Sequence, residues 1–319
     1  MVTGKRDSED SSLRQYARII DGKPIDLYIT RRLTYLGFLM QGFSTNLYVK
    51  ARDSFVNNLA MKSFQLDPIW GLGAPLRTVT HAPTVTDTLY GELKSGNVIS
   101  LPAVQRFSGP ETVILTNGEE IPVDVVICAT GYGQDFSLVE GLDLLKDKPQ
   151  VAGLRGQRLV RLYQNMFPVE YGDSLAYMNN IILDYAWCCL ADIQAMAITQ
   201  VFKGAFALPT KEDMKKDIEK DHAWICKLGE TDTVNPQFIK EGKWMRWANR
   251  AAGTGVNEYL GYGLKGWLFW LKEPQLCNIL MGILDSPHAY RLFDGRRPKW
   301  HGAREAILAA YSEIQTPFA

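Results

Sequence analysis

The order of apolar and polar positions divides the chain into a first part with strands and a second part built of helices. Residues 12–20 allow a short helix, and Asp21-Gly22-Lys23-Pro24 makes a turn. Residues 25–30 (Ile25-Asp26-Leu27-Tyr28-Ile29-Thr30) then alternate apolar with polar, the period of a half-buried strand, and Arg31 and Arg32 follow at its end. Residues 33–66 read as helices, residues 67–83 as a Gly/Pro-rich loop, and residues 86–94 as a short helix. Short β-rich runs follow at 98–101, 104–107 and 112–115, and Asn117-Gly118 marks a hairpin. The run Val123-Asp124-Val125-Val126-Ile127-Cys128-Ala129 is almost continuously apolar and β-branched, which predicts a strand covered on both faces. It ends in Thr130-Gly131, small residues that let backbone approach a flat ligand at a strand's carboxyl end. From there on the clearest elements are helices, at 188–202, 211–228, 275–284 and 302–314.

Composition narrows the choice of partners. The 319 residues carry 35 Lys plus Arg against 35 Asp plus Glu, so no polyanion partner is expected and nucleic acid is set aside. Cys128, Cys188, Cys189, Cys226 and Cys277 form no C-x-x-C pair, which suits free thiols in a reducing, cytoplasmic setting. His81, His222, His288 and His301 are scattered without metal-ligand spacing, so no metal site is expected. No stretch of about 18 uncharged apolar residues predicts a membrane span. The cluster Gly266-Trp267-Leu268-Phe269-Trp270-Leu271 is read as core or interface, with a peripheral place on a bilayer surface as the alternative. The G-x-G-x-x-G pattern at residues 261–266 has no strand before it and is read as a loop beside a packed helix, not as a dinucleotide site.

Several segments occur in the order of one family. Asp124-Val125-Val126-Ile127-Cys128-Ala129-Thr130-Gly131-Tyr132 after a hairpin, His81-Ala82-Pro83-Thr84-Val85-Thr86-Asp87, Asp192-Ile193-Gln194-Ala195 and Leu208-Pro209-Thr210 with Met214 are joined by Ser286-Pro287-His288-Ala289-Tyr290-Arg291-Leu292 and residues 299–307. Over residues 25–318 the chain thereby resembles the flavin-containing monooxygenases. That resemblance implies an α/β fold, a partial two-dinucleotide-binding-domain (Rossmann-like) flavoprotein with a helix-rich C-terminal region. Residues 1–115 would be a partial NADPH-binding domain, and residues 116–319 the C-terminal half of the FAD-binding domain. It further implies FAD and NADPH as cofactors, O2 as co-substrate, and oxygenation of a nucleophilic nitrogen or sulfur through a flavin C4a-hydroperoxide. No catalytic side chain is expected, because the flavin carries the chemistry.

The residues carried over as cofactor-binding are Thr130, Gly131, Arg31, Arg32, Asn179 and Gln194. Arg31 and Arg32 would read an adenosine 2′-phosphate from the end of a strand. Asn179 stands where the family often has a glycine close to the flavin ring, and Gln194 in its E-x-Q-A helix start. The 319 residues contain neither of the family's two glycine fingerprints nor its F-x-G-x-x-x-H signature. A truncated chain, inactive alone, is therefore expected. Two alternatives stay open: a non-catalytic remnant that binds NADP or a partner, and a Baeyer–Villiger or N-hydroxylating monooxygenase.

Overall fold

The computed structural model describes residues 2–4, 15–16, 19–20, 23–24, 27–63, 66–72, 84–86, 88–129, 135–139, 141–145, 148–183, 187–283 and 286–315. Its helices in chain order are α1 (Arg31–Phe43), α2 (Thr45–Ser63), α3 (Leu89–Ser95), α4 (Trp187–Phe202), α5 (Lys211–Gly229), α6 (Glu241–Ala252), α7 (Val256–Tyr259), α8 (Leu264–Lys272), α9 (Pro274–Gly282) and α10 (Ala303–Gln315). Contacts divide the chain into two compact units. One comprises residues 1–21 and 46–142, the other residues 22–45 and 143–319. Leu115 lies in the middle strand of a three-stranded sheet of the first unit, and the contact division along the chain runs between Leu142 and Asp143.

In the first unit, Val2–Gly4 pairs in parallel with Ile99–Leu101, and Gln15–Tyr16 with Thr84–Val85. An antiparallel meander joins Val104–Gly109, Thr112–Leu115 and Glu120–Pro122, with Val113 opposite Ile121. Its second turn is the predicted Asn117-Gly118 hairpin. Gly118 takes φ +84°, a region open to glycine at little cost, and the Asn117 side chain accepts from the Glu119 N–H at 3.1 Å. Val113 and Leu115 alternate inward and are buried.

The strand predicted over residues 123–129 does not form. Val123 donates its N–H to Glu111 at 2.8 Å, and the chain then runs on as irregular backbone. Val125 is 76 % and Ile127 75 % exposed. β-branched composition favours a pleated, half-buried surface but cannot supply the neighbouring strands that a doubly covered strand needs. Among the described residues no strand pairs with this run.

The strand predicted over residues 25–30 is also overturned where it is described. Residues 27–29 turn, and Thr30 caps α1, its hydroxyl accepting from the Leu33 N–H at 3.3 Å. A threonine ahead of a run of Leu, Met and Gln favours this helix start. Arg31 and Arg32 therefore open a helix and do not close a strand.

The second unit holds the main core. α4 and α6 make the most extensive helix–helix contact among the described residues, and Ala197, Ala248, Ala251 and Ala252 are fully buried. Trp244 and Trp247 on α6 fill the space beside them, with Trp247 edge-on to Tyr163 at 5.9 Å. α5 begins at Thr210, whose hydroxyl accepts from the Asp213 N–H at 3.2 Å and donates to its carboxylate at 2.9 Å. The Leu-Pro-Thr segment is thus a helix start, with Met214 buried one turn on. The cluster at residues 266–271, expected in a core or interface, lies on α8 with only Gly266 buried. No helix among the described residues is long and apolar enough to cross a membrane.

Candidate functional site

Two of the expected site residues, 15 positions apart, meet in the second unit. The segment leading to Asn179 is held in place by backbone bonds: Tyr177 N–H donates to Met166 at 2.8 Å, and Ile182 N–H to Gln237 at 3.0 Å. Between these anchors the chain turns sharply at Asn179, whose φ of +63° is left-handed. Asparagine tolerates that region better than most residues. The turn directs the Asn179 N–H at α4, where Gln194 Oε1 accepts it at 3.0 Å.

Gln194 sits on the inward face of α4 together with Leu190, Ile193, Ala197 and Val201, and it is 0 % exposed. Only its oxygen is used. Gln194 Nε2 has no hydrogen-bond partner among the described residues. A buried amide donor left in this state costs about 1–3 kcal/mol unless an acceptor satisfies it.

A second polar junction lies next to the first. Asn180 is buried; Gln237 Nε2 donates to its Oδ1 at 2.8 Å, and its own amide donates to the Asn165 carbonyl at 3.4 Å. Trp244 Nε1 donates to the Gln164 carbonyl at 3.1 Å, fixing a stretch in which Gln164 and Asn165 both have positive φ. Asn179 and Asn180 are thereby held from both sides.

The second turn of α4, which carries Asp192 and leads to Gln194, is tied to the C-terminal segment. Arg291 grips Asp192 with two parallel bonds, Nη1 to Oδ2 at 2.5 Å and Nη2 to Oδ1 at 2.7 Å, and also donates to the Pro287 carbonyl at 2.8 Å. This pairing raises the Arg291 pKa, chiefly through the hydrogen bond to Asp192. Arg297 stands close by and donates to the Tyr290 carbonyl. Burial, and then the charge of Arg291, pull its pKa down. Tyr290, Ala289 and Ala303 are fully buried, so the two C-terminal segments singled out in the sequence act as packing that steadies the Asp192 turn of α4.

The other expected residues are not part of this junction. Thr130 and Gly131 lie outside the described residues, as does His81. Arg31 is buried at the start of α1, and its N–H donates to the Ile283 carbonyl at 3.1 Å. Arg32 is exposed and donates to Asn278 Oδ1 at 2.6 Å. His222 is buried with Nε2 3.0 Å from the Val160 carbonyl, a structural contact. Asn165, Asn180 and Gln237 are the polar residues that sequence reasoning missed. Asn-Asn at 179–180 was a signal for a special turn, whereas nothing local points to Gln237.

A family model described as flavin-binding monooxygenase-like matches residues 14–319. A protein of Gibberella zeae named monooxygenase aurF is 34% identical over 307 residues, covering 94% of this chain and 58% of its own length. Flavin-containing monooxygenase 5 of Cavia porcellus is 27% identical over 302 residues, covering 93% of this chain and 51% of its own. The human protein of that name is 27% identical over 304 residues with the same shares. Among solved structures, S-allyl-L-cysteine S-oxygenase from Allium sativum aligns with a TM-score of 0.40 at 18% identity, over 73% of this chain and 46% of its own. The chain spans about half the length of the curated relatives it matches.

Proposed function

The chain belongs to the flavin-binding monooxygenase-like family, and we propose that it forms the part of an FAD- and NADPH-dependent monooxygenase that supports the flavin ring through Gln194 and Asn179. The observation that carries this reading is the spare donor of Gln194, buried beside the Asn179 turn. An isoalloxazine presents carbonyl and ring-nitrogen acceptors, which fit such a donor. When bound, the flavin would supply the redox chemistry, taking hydride from NADPH and passing one atom of O2 to a nucleophilic nitrogen or sulfur.

The chain's own residues would bind and orient. Gln194 would donate from Nε2 while Asn179 holds its oxygen, so the amide cannot flip. Asp192 and Arg291 would keep that turn of α4 in position. Thr130-Gly131 would bring backbone close to the cofactor. Arg31 and Arg32 would pair with the 2′-phosphate of NADPH from the start of α1, where the helix dipole also favours an anion. In this reading residues 1–115 would serve the NADPH side and residues 116–319 the FAD side, a division by cofactor and not by the contact units. The 319 residues contain no glycine fingerprint to hold the FAD pyrophosphate, so alone they are expected to retain no stoichiometric flavin.

An activity assay tests the reading. The chain with added FAD, NADPH and a thioether should oxidise NADPH no faster than a control without protein. Joined to a segment that carries a glycine fingerprint for the FAD pyrophosphate, it should bind flavin and form sulfoxide. Replacing Gln194 by Leu in that extended protein should lower flavin affinity by about ten-fold or more, as expected for a lost buried hydrogen bond. Unchanged flavin affinity in that variant would overturn the role given to Gln194.

A further inference from the structure

The glycine-spaced loop at residues 261–266 has no part in the oxygenation reading, yet it lines a cavity of about 180 Å³ bordered by α8 and α9. Its glycines are required by close backbone approach. A Cβ on Gly266 would lie 1.8 Å from the Gly261 carbonyl oxygen, and one on Gly261 would lie 2.5 Å from that of Asn257. The loop therefore folds onto the first turn of α8 through bare backbone. Tyr259, Trp267 and Trp270 also line the cavity, the two tryptophans edge-to-face with centroids 6.1 Å apart. Trp267 is nevertheless 54 % and Trp270 40 % exposed. Large aromatic surface left open around a cavity is a common mark of a binding site.

A positive charge belongs to the same cavity. Arg32 lines it, donates one bond to Asn278 and has no other hydrogen bond or ion pair among the described residues. Its field reaches Cys277, another lining residue: burial pushes that thiol's pKa up, and Arg32 pulls it the other way. A guanidinium with donors to spare, beside aromatic rings, recognises an anion attached to a flat group.

We propose that this cavity binds a planar aromatic ring carrying an anionic group, the ring against Trp267 and Trp270 and the anion on Arg32. A cavity of roughly 150 Å³ accepts one benzene ring, so the space here suits a single or small fused ring. The occupant that fits is a free aromatic carboxylate; the adenosine phosphate of NADPH, given to Arg32 in the reading above, is the competing occupant. The inference does not depend on the flavin contacts of Gln194.

Calorimetric titration of the purified 319-residue chain with indole-3-acetate, 2′,5′-ADP and neutral indole tests it. Indole-3-acetate should bind at 1:1, at least about ten-fold more tightly than neutral indole and more tightly than 2′,5′-ADP. Arg32→Gln, at an exposed position, should weaken the anion by about ten- to a hundred-fold while helix content by circular dichroism stays unchanged. Trp270→Leu should also weaken it and should reduce the quenching of tryptophan fluorescence, leaving the part due to Trp267. No binding of indole-3-acetate, equal binding of neutral indole, tighter binding of 2′,5′-ADP, or an Arg32→Gln variant with unchanged affinity would overturn the proposal.

Discussion

Two regions with comparably apolar sequences behave in opposite ways. α4 and α6 bury their apolar faces against each other and place Trp244, Ile193 and Ala248 in a shared core. Residues 123–129 are as apolar and more β-branched, yet they lie exposed as irregular backbone. The difference is in what each must find. A helix satisfies its own backbone hydrogen bonds and needs one apolar partner face, which the second unit contains. A doubly covered strand needs neighbours on both edges and both faces, and the described residues supply none.

Mutations should separate the regions most sharply at the core. Trp244→Ala is expected to destabilise the second unit by about 3–5 kcal/mol in denaturant unfolding, the cost of emptying a large buried site. Asp192→Ala should cost about 1–3 kcal/mol, because it leaves the Arg291 guanidinium half-buried without its carboxylate. Gln194→Leu should cost less, about 1–2 kcal/mol, since it removes the bond to Asn179 but also the unsatisfied donor. At the other extreme, Ile127→Ala should change stability by less than about 0.5 kcal/mol, as at an open surface position. A large loss at Ile127 would break the contrast.

Thiol chemistry gives a gentler probe of the same difference. Cys128, in the exposed run, and Cys188 are open, whereas Cys189 and Cys277 are buried. Burial pushes the Cys189 thiol up to about 11. At pH 8 iodoacetamide should label Cys128 and Cys188, read by mass spectrometry. A raised pKa keeps the thiol protonated at that pH, so Cys189 should react only as the pH approaches that value, and slowly even then.

Much of this was legible in the sequence where signals are local. The Asn117-Gly118 turn, the strands around it, and α3, α4, α5, α9 and α10 follow from turn chemistry and helical spacing. α6 was missed although Trp244, Met245, Trp247, Ala248, Ala251 and Ala252 recur at i, i+1, i+3, i+4, i+7 and i+8. The strands expected at 25–30 and 123–129 failed for two reasons: Thr30 as a helix cap outweighed a short alternation, and β-branched composition could not create missing partners. Of the site, Asn179 and Gln194 were named from the resemblance, but their hydrogen bond was not, since it joins a left-handed turn to a helix face across intervening backbone. The Arg291–Asp192 pair spans 99 residues, a separation that no local pattern encodes.

Hydrogen exchange of the 319-residue chain, read amide by amide, tests most directly the claim that the helical unit is self-supporting while the run before Thr130 is not. Amides of residues 125–129 should exchange within the dead time of the experiment, and those of residues 193–201 in α4 and 245–251 in α6 should be protected to near the global unfolding limit. Protection of residues 125–129 comparable to that of α4 would contradict the account, because it would require partner strands that the described structure does not contain.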